Sequence, residues 1–218
     1  MSHVTDVYST IAKHFSDTRY SHWKAVKDFL LEIPKYSIVL DIGCGNGKYS
    51  LVRNDLIFLA FDITHELLTI AKETKKGSIK DFMHGSCIHT LPIINKIANY
   101  AICIAVIHHL ASHTERVQTI LNILTKIADQ GSLLITVWAY EQIILPKWKH
   151  IEDTDYLIPW LDKYSHKTHW RYYHLFTEEE IHKLCKEVKD HIISIDYNIS
   201  FEHNNWVILF NLRNKNLS

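Results

Sequence analysis

The sequence is poor in whatever would mark it for a membrane, for export or for unaided nucleic-acid binding. No stretch approaches the roughly 18 consecutive apolar residues of a membrane span. The longest apolar run, Tyr100 to Ile107, stops at two histidines. The opening MSHVTDVYSTIAKHFSD has no apolar secretory core, so no export is expected. Cys44, Cys87, Cys103 and Cys185 fall without paired spacing, which argues against a disulfide framework or a cysteine metal cluster and fits a reducing cytosol. Repeats, low-complexity tracts and linkers are missing, so residues 1–218 read as a single domain able to bury a substantial core. A basic excess is missing too, because 24 Lys and Arg balance 24 Asp and Glu. A general nucleic-acid binder carries such an excess, so any RNA contact must use a local patch or a partner's charge. The 16 histidines make surface charge sensitive to mild acid, but abundance alone does not argue for a metal, and none is expected.

What is present alternates between two periodicities. Residues 1–34 read as an N-terminal helical segment, with Trp23, Val26, Leu30 and Ile33 at helical spacing before Pro34. Strands are expected over Ser37–Ile42, Leu56–Phe61, Tyr100–Val106 and the run SLLITVW after Gly131, with Met83–Ile88 a weak strand-and-loop candidate. Between them, Thr64 can cap a helix carrying Leu67, Leu68 and Ala71. Ser112 with Glu115, and Thr177 with Glu180, are capping boxes ahead of helical runs, the first extending to Ile127. His191–Phe201, the turn HNN and Trp206–Leu212 form a hairpin signal. The order implies an α/β doubly wound, mostly parallel sheet closed by a C-terminal antiparallel hairpin. The aperiodic stretch 141–176, rich in Trp, Lys, His and Tyr, reads as a long loop or short helices on the substrate side.

The chemistry starts at VLDIGCGNGKYS, where Gly43, Gly45 and Gly47 alternate after a strand ending in Asp41 and Ile42. A dinucleotide fingerprint has the wider spacing G-x-G-x-x-G. The tighter turn here resembles the S-adenosyl-L-methionine (AdoMet) loop of class I methyltransferases, whose Rossmann-like fold is a seven-stranded sheet with helices on both faces. That resemblance makes Asp41, Gly43, Cys44, Gly45 and Gly47 candidates for the cofactor's amino-acid end. An acid at position 41 suits an ammonium and would repel a diphosphate. Asp62 ends the next strand, where an acid accepts hydrogen bonds from ribose hydroxyls, with Ile63 beside it. Ser86 and Cys87 stand where this fold commonly places an acid against the adenine amino group. Ala105 and Val106, closing the fourth strand, would lie beside the methyl donor.

His108 and His109, in IAVIHHL, follow that strand at the ligand-binding edge of the sheet. They either orient or deprotonate an acceptor, or pack beneath the cofactor. Four further stretches narrow the resemblance: VYSTIAKHFSDTRYSHW, VWAYEQ, RYYHLFTEEEI and the terminal NNW. With the glycine loop and IAVIHHL, in this order, they are similar to the eukaryotic tRNA methyltransferases that esterify 5-carboxymethyluridine at the wobble position. The resemblance implies that Arg19 and Arg171 orient a carboxylate, for which guanidinium is suited, and that Trp138 and Tyr172 stack on an unstacked base. Lys147, Lys149 and Lys167 read as a solvated face. It also implies binding to the tRNA anticodon loop. A small zinc-binding activator subunit is expected in a heterodimer, seated near Phe58, Phe61 and the weak third strand. The loop after Gln142 looks short for the family, and the adenine-side acid is replaced. Two other readings share parts of this pattern: a methyltransferase for a quinone-like small molecule, and a silent AdoMet-fold binding module.

Overall fold

The computed structural model describes residues 2–73, 79–89, 91–192 and 194–213. Five strands lie parallel: β1 (Ile38–Ile42), β2 (Ile57–Asp62), β3 (Ile79–His84), β4 (Ala98–Ile104) and β5 (Ile127–Trp138). They join β9 (Ile195–Glu202) and β10 (Asn205–Leu212) in one seven-stranded sheet of order β3-β2-β1-β4-β5-β10-β9. The last two strands are antiparallel, as the hairpin signal implies. Their turn is His203–Asn204, both with positive φ (47° and 63°), the backbone that a two-residue hairpin demands.

Apolar runs without alternation become the central strands because both of their faces are covered. On one face α2 (Lys24–Glu32) buries Val26 and Leu30 against Val39, Phe58 and Ile102. On the other, α4 (His113–Leu124) and α5 (Glu178–His191) bury Ile120, Ile123, Leu184 and Val188 against Ala101, Leu133 and Ile135. Both of these helices begin with complete capping boxes, Ser112 with Glu115 and Thr177 with Glu180. α3 (His65–Glu73) follows Thr64, and α1 (Ser2–Asp17) lies against α3 and β8 (Thr168–His174).

Three expectations need correction. The third strand is Ile79–His84, so it starts four residues before the strand-and-loop candidate Met83–Ile88, whose first two residues end it. Ile127 opens β5 instead of closing α4, because a bulge before Ser132 lets the strand begin earlier, and a Cβ on Gly131 would sit 2.2 Å from the Asn99 carbonyl oxygen. The stretch 141–176 is neither loop nor helix. It holds a second, antiparallel sheet of β6 (Lys149–His150), β7 (Asp155–Leu161) and β8. Pairing of Ala139 with Phe176 ties it to the main sheet, and Trp206 Nε1 donates to the Phe176 carbonyl oxygen at 2.9 Å. No helix among the described residues is long and apolar enough to cross a membrane.

Candidate active site

Strand order reverses between β1 and β4, and beyond their carboxyl ends lies a cavity of about 480 Å³. That is where an open parallel sheet binds its ligand. The glycine loop forms its floor, and α1 contributes Tyr8 and Phe15 to its wall.

The three loop glycines differ in what requires them. All have positive φ, from 55° to 72°. A Cβ on Gly43 would approach Val106 Cγ2 to 2.2 Å, and one on Gly47 would meet the Phe82 ring at 2.9 Å, so both permit packing. A Cβ on Gly45 would have no neighbour closer than Phe15 Cε1 at 3.9 Å. The space it leaves opens into the cavity, which Gly43, Cys44 and Gly45 line and Gly47 does not. The loop's amides are largely spent. Gly43 and Cys44 donate to the Phe61 carbonyl oxygen at 2.8 and 2.9 Å, and Gly47 donates to that of Cys44 at 2.9 Å. Gly45 N–H donates to Asp62 Oδ2 and Thr64 N–H to Oδ1, each at 2.8 Å. An anion-binding nest needs free N–H groups; this loop offers room and negative charge instead.

That charge rests on Asp62, with Asp41 behind it held largely protonated at neutral pH. Asp62 lines the cavity, and its oxygens keep lone pairs after their backbone bonds. Asp41 is 1% exposed, does not line the cavity, and carries an Oδ2 without a hydrogen-bond partner. Burial, reinforced by Asp62, pushes its pKa up to about 8. Lys48 reaches the cavity, and burial, with Arg19 nearby, pulls its ammonium down to about 8. Ile63, Ser86 and Cys87 line the opposite side. Burial pushes the Cys87 thiol up to about 11, so that side is neutral where an acid was expected.

The far wall differs from its sequence reading. Arg19, His109, Ala105, Val106 and Trp138 line the cavity; His108, Arg171 and Tyr172 do not. His108 is fully buried, wedged 4.5 Å from the His109 ring and 4.6 Å from Tyr173, and burial holds it far below the ordinary imidazole pKa. Its Nδ1 accepts from Trp138 N–H at 3.3 Å, and its Nε2 has no hydrogen-bond partner. Alternation along β8 turns Tyr172 outward, where its hydroxyl donates to Asp155 Oδ2 at 2.7 Å, and turns Tyr173 inward. Arg171 shares the inward face but stops behind the wall, 3% exposed, with its guanidinium 4.9 Å from the Trp160 ring. Nη1 donates to the hydroxyls of Tyr173 (2.9 Å) and Tyr8 (3.4 Å). No carboxylate among the described residues pairs with Arg171, nor with Arg19, which rests over Phe15 and Trp160. Tyr8, Lys48 and Tyr173 line the cavity and were missed by the sequence reading, although all three sit inside motifs it singled out.

Comparison with known proteins fits this geometry. Residues 13–188 match the family described as Methyltransferase domain. A protein of Schizosaccharomyces pombe named tRNA (carboxymethyluridine(34)-5-O)-methyltransferase is 30% identical over 226 residues, covering 95% of each chain. An Arabidopsis thaliana protein of the same name is 37% identical over 158 residues, which are 72% of this chain and 36% of that longer relative. Among solved structures, a chain from the complex of the Haloferax volcanii Trm112 methyltransferase activator with a methyltransferase superposes with a TM-score of 0.70 at 11% identity, covering 99% of this chain and 100% of that one. That likeness concerns the fold. The identity and coverage shared with the fission yeast protein go further: the chain belongs to the tRNA (carboxymethyluridine(34)-5-O)-methyltransferase family, within the methyltransferase-domain fold.

Proposed function

We propose that the chain methylates the carboxylate of 5-carboxymethyluridine at the tRNA wobble position, with AdoMet as donor. The observation that carries this reading is a cavity lined by Asp62 on its cofactor side and by Arg19 on its far side, with Arg171 behind that wall and neither arginine paired with a carboxylate among the described residues. Asp62 would accept the ribose hydroxyls, the Gly45 gap would admit the amino-acid backbone, and Asp41, behind the lining, would answer its ammonium through water. Lys48 suits the carboxylate of that same group. Ile63, Ser86 and Cys87 would face the adenine, while Ala105 and Val106 would flank the methyl. Bound there, AdoMet supplies an electrophilic methyl on sulfonium, which passes to a carboxylate oxygen and leaves the neutral thioether.

A carboxylate with pKa near 4 is already ionised at neutral pH, so the protein needs no base and works by positioning. His109 fits that economy. Burial pulls its pKa down to about 4, Nδ1 donates to the Tyr172 carbonyl oxygen at 2.8 Å, and the neutral ring braces the wall. Arg19 grips the acceptor, and Trp138, tilted 4.6 Å from Tyr173, presents aromatic surface to the base.

The same reading includes the anticodon loop as ligand and a small zinc-binding activator as partner. β3 is an edge strand with Ile79 72% exposed, the kind of open edge a partner covers. Phe58 and Phe61 are buried and cannot contact it directly, contrary to the sequence reading. The test is incubation with labelled AdoMet and tRNA lacking the ester, with and without the activator, followed by nucleoside analysis. Methyl-esterified wobble uridine is expected. Arg19→Ala should lower kcat/KM by about 10–100-fold, the loss of a charged hydrogen bond of about 1.5–3 kcal/mol. Label in any other nucleoside, or none in tRNA, would refute the assignment.

A further inference from the structure

The hydrogens on the far wall can be counted. His109 Nδ1 donates to the Tyr172 carbonyl oxygen, so Nε2 of the neutral ring is an acceptor. The Tyr8 hydroxyl, 3.1 Å from that Nε2, spends its proton there. Arg171 Nη1 donates to the Tyr173 oxygen at 2.9 Å and more weakly to Tyr8 at 3.4 Å. Among the two phenols and the imidazole of this cluster, one proton is left without a good acceptor, that of the Tyr173 hydroxyl. Its described acceptor is the Tyr8 oxygen at 3.3 Å, beyond the roughly 2.5–3.0 Å of a good O–H···O bond.

Position adds to the count. Tyr173 lines the cavity, whereas Arg171 stops behind it. A buried guanidinium with no carboxylate among its described neighbours keeps its charge only if polar groups and rings solvate it. Here those are the two phenols and Trp160. The charge therefore reaches the cavity through the Tyr173 O–H bond, which it polarises. Burial raises the Tyr173 pKa above the ordinary phenol value, so the proton stays on oxygen.

We propose that Tyr173 binds the acceptor carboxylate together with Arg19, donating its hydroxyl proton to the oxygen that is not methylated, with Arg171 as the positioning residue behind it. The proposal rests on the carboxylate-methylating function argued above. A hydrogen bond to the attacking oxygen would withdraw the electron density it needs, whereas one to its neighbour holds the anion in line at no such cost. The phenol keeps its proton throughout. The bond is charge-assisted at both ends, by the guanidinium and by the carboxylate.

The experiment compares tRNA carrying wobble 5-carboxymethyluridine with the same tRNA carrying the uncharged 5-carbamoylmethyl group. Both are bound to the enzyme–activator complex with S-adenosylhomocysteine. The wild type is expected to prefer the acid by at least about 10-fold, one charged hydrogen bond's worth. Tyr173→Phe, which keeps the ring, should cut that preference about 10-fold and lower kcat/KM about 10–100-fold, with cofactor affinity unchanged; the thermal midpoint should fall, because Arg171 loses a buried acceptor. A second variant carries 3,5-difluorotyrosine at position 173, whose phenol is more acidic; it should move the alkaline limb of the rate profile to lower pH. Retained acid preference in Tyr173→Phe, or an unmoved alkaline limb in the fluorinated enzyme, overturns the proposal. Failure of the wild type to form any ester would instead sink the functional reading, so the two are distinguishable.

Discussion

A methyl group added to Gly43 would lie 2.2 Å from Val106 Cγ2 at a φ of +71°, while one added to Gly45 would find its nearest neighbour at 3.9 Å. The two substitutions should therefore fail differently. Gly43→Ala combines left-handed strain of about 1–2 kcal/mol with overpacking of about 1–3 kcal/mol, and thermal unfolding should reveal a loss of that order. Gly45→Ala should cost stability only the strain, yet calorimetric titration should find AdoMet binding sharply weakened. Equal loss of midpoint in both would contradict the separation. The glycines were legible because G-x-G-x-G after a strand leaves few alternatives; which glycine faces the ligand was not, since that depends on Val106 and Phe82 arriving from elsewhere in the chain. Tyr172 and Tyr173 make the same point. Adjacent residues on a strand point oppositely, and RYYH gives no sign of which tyrosine faces the cavity once the strand itself is missed.

Elements with strong local signals were legible: the capping boxes, the continuous apolar strands and the HNN turn all fall where the sequence puts them. Removing a cap should cost about 1 kcal/mol. Ser112→Ala breaks the bond from Glu115 N–H at 3.2 Å and should lower the midpoint by about 2–4 °C, with Ser112→Gly losing less. No change in either would mean that α4 is held by packing alone. The second sheet was not legible, for a definite reason. β7 reads Tyr156, Leu157, Ile158, Pro159, Trp160, Leu161, apolar on both faces, so the period of two is hidden. Its partner β8 is reached through a wide turn at 162–167 instead of a two-residue signature. The inner face packs on α1 and the cavity, while Leu161 on the other face is 63% exposed.

For the molecule as a whole, three buried groups at the site set opposing pH slopes. His108 and His109 are pulled below 6.5, so the unfolded chain binds more protons and stability falls as pH drops below about 6.5. Asp41 is raised from 3.8 to about 8, so the folded chain binds more protons and stability falls as pH rises through that window. Two histidines outweigh one carboxyl between pH 4 and 6.5, and Asp41 acts without them above. Thermal midpoints should peak near pH 6.5, with an alkaline decline of about 1.4 kcal/mol per pH unit at most. Asp41→Asn should flatten that decline, and a wild-type slope in the variant would exclude Asp41 as its source.

The glycine loop belongs to the parallel sheet, whereas Arg171 and Tyr173 ride on the separate three-stranded ladder, joined to it by the Ala139–Phe176 bridge. The proposed donor contacts thus come from the parallel sheet, and the proposed acceptor contacts come in part from the ladder packed against it. Remodelling the ladder's inward face should change which nucleophile is presented while leaving the glycine loop intact.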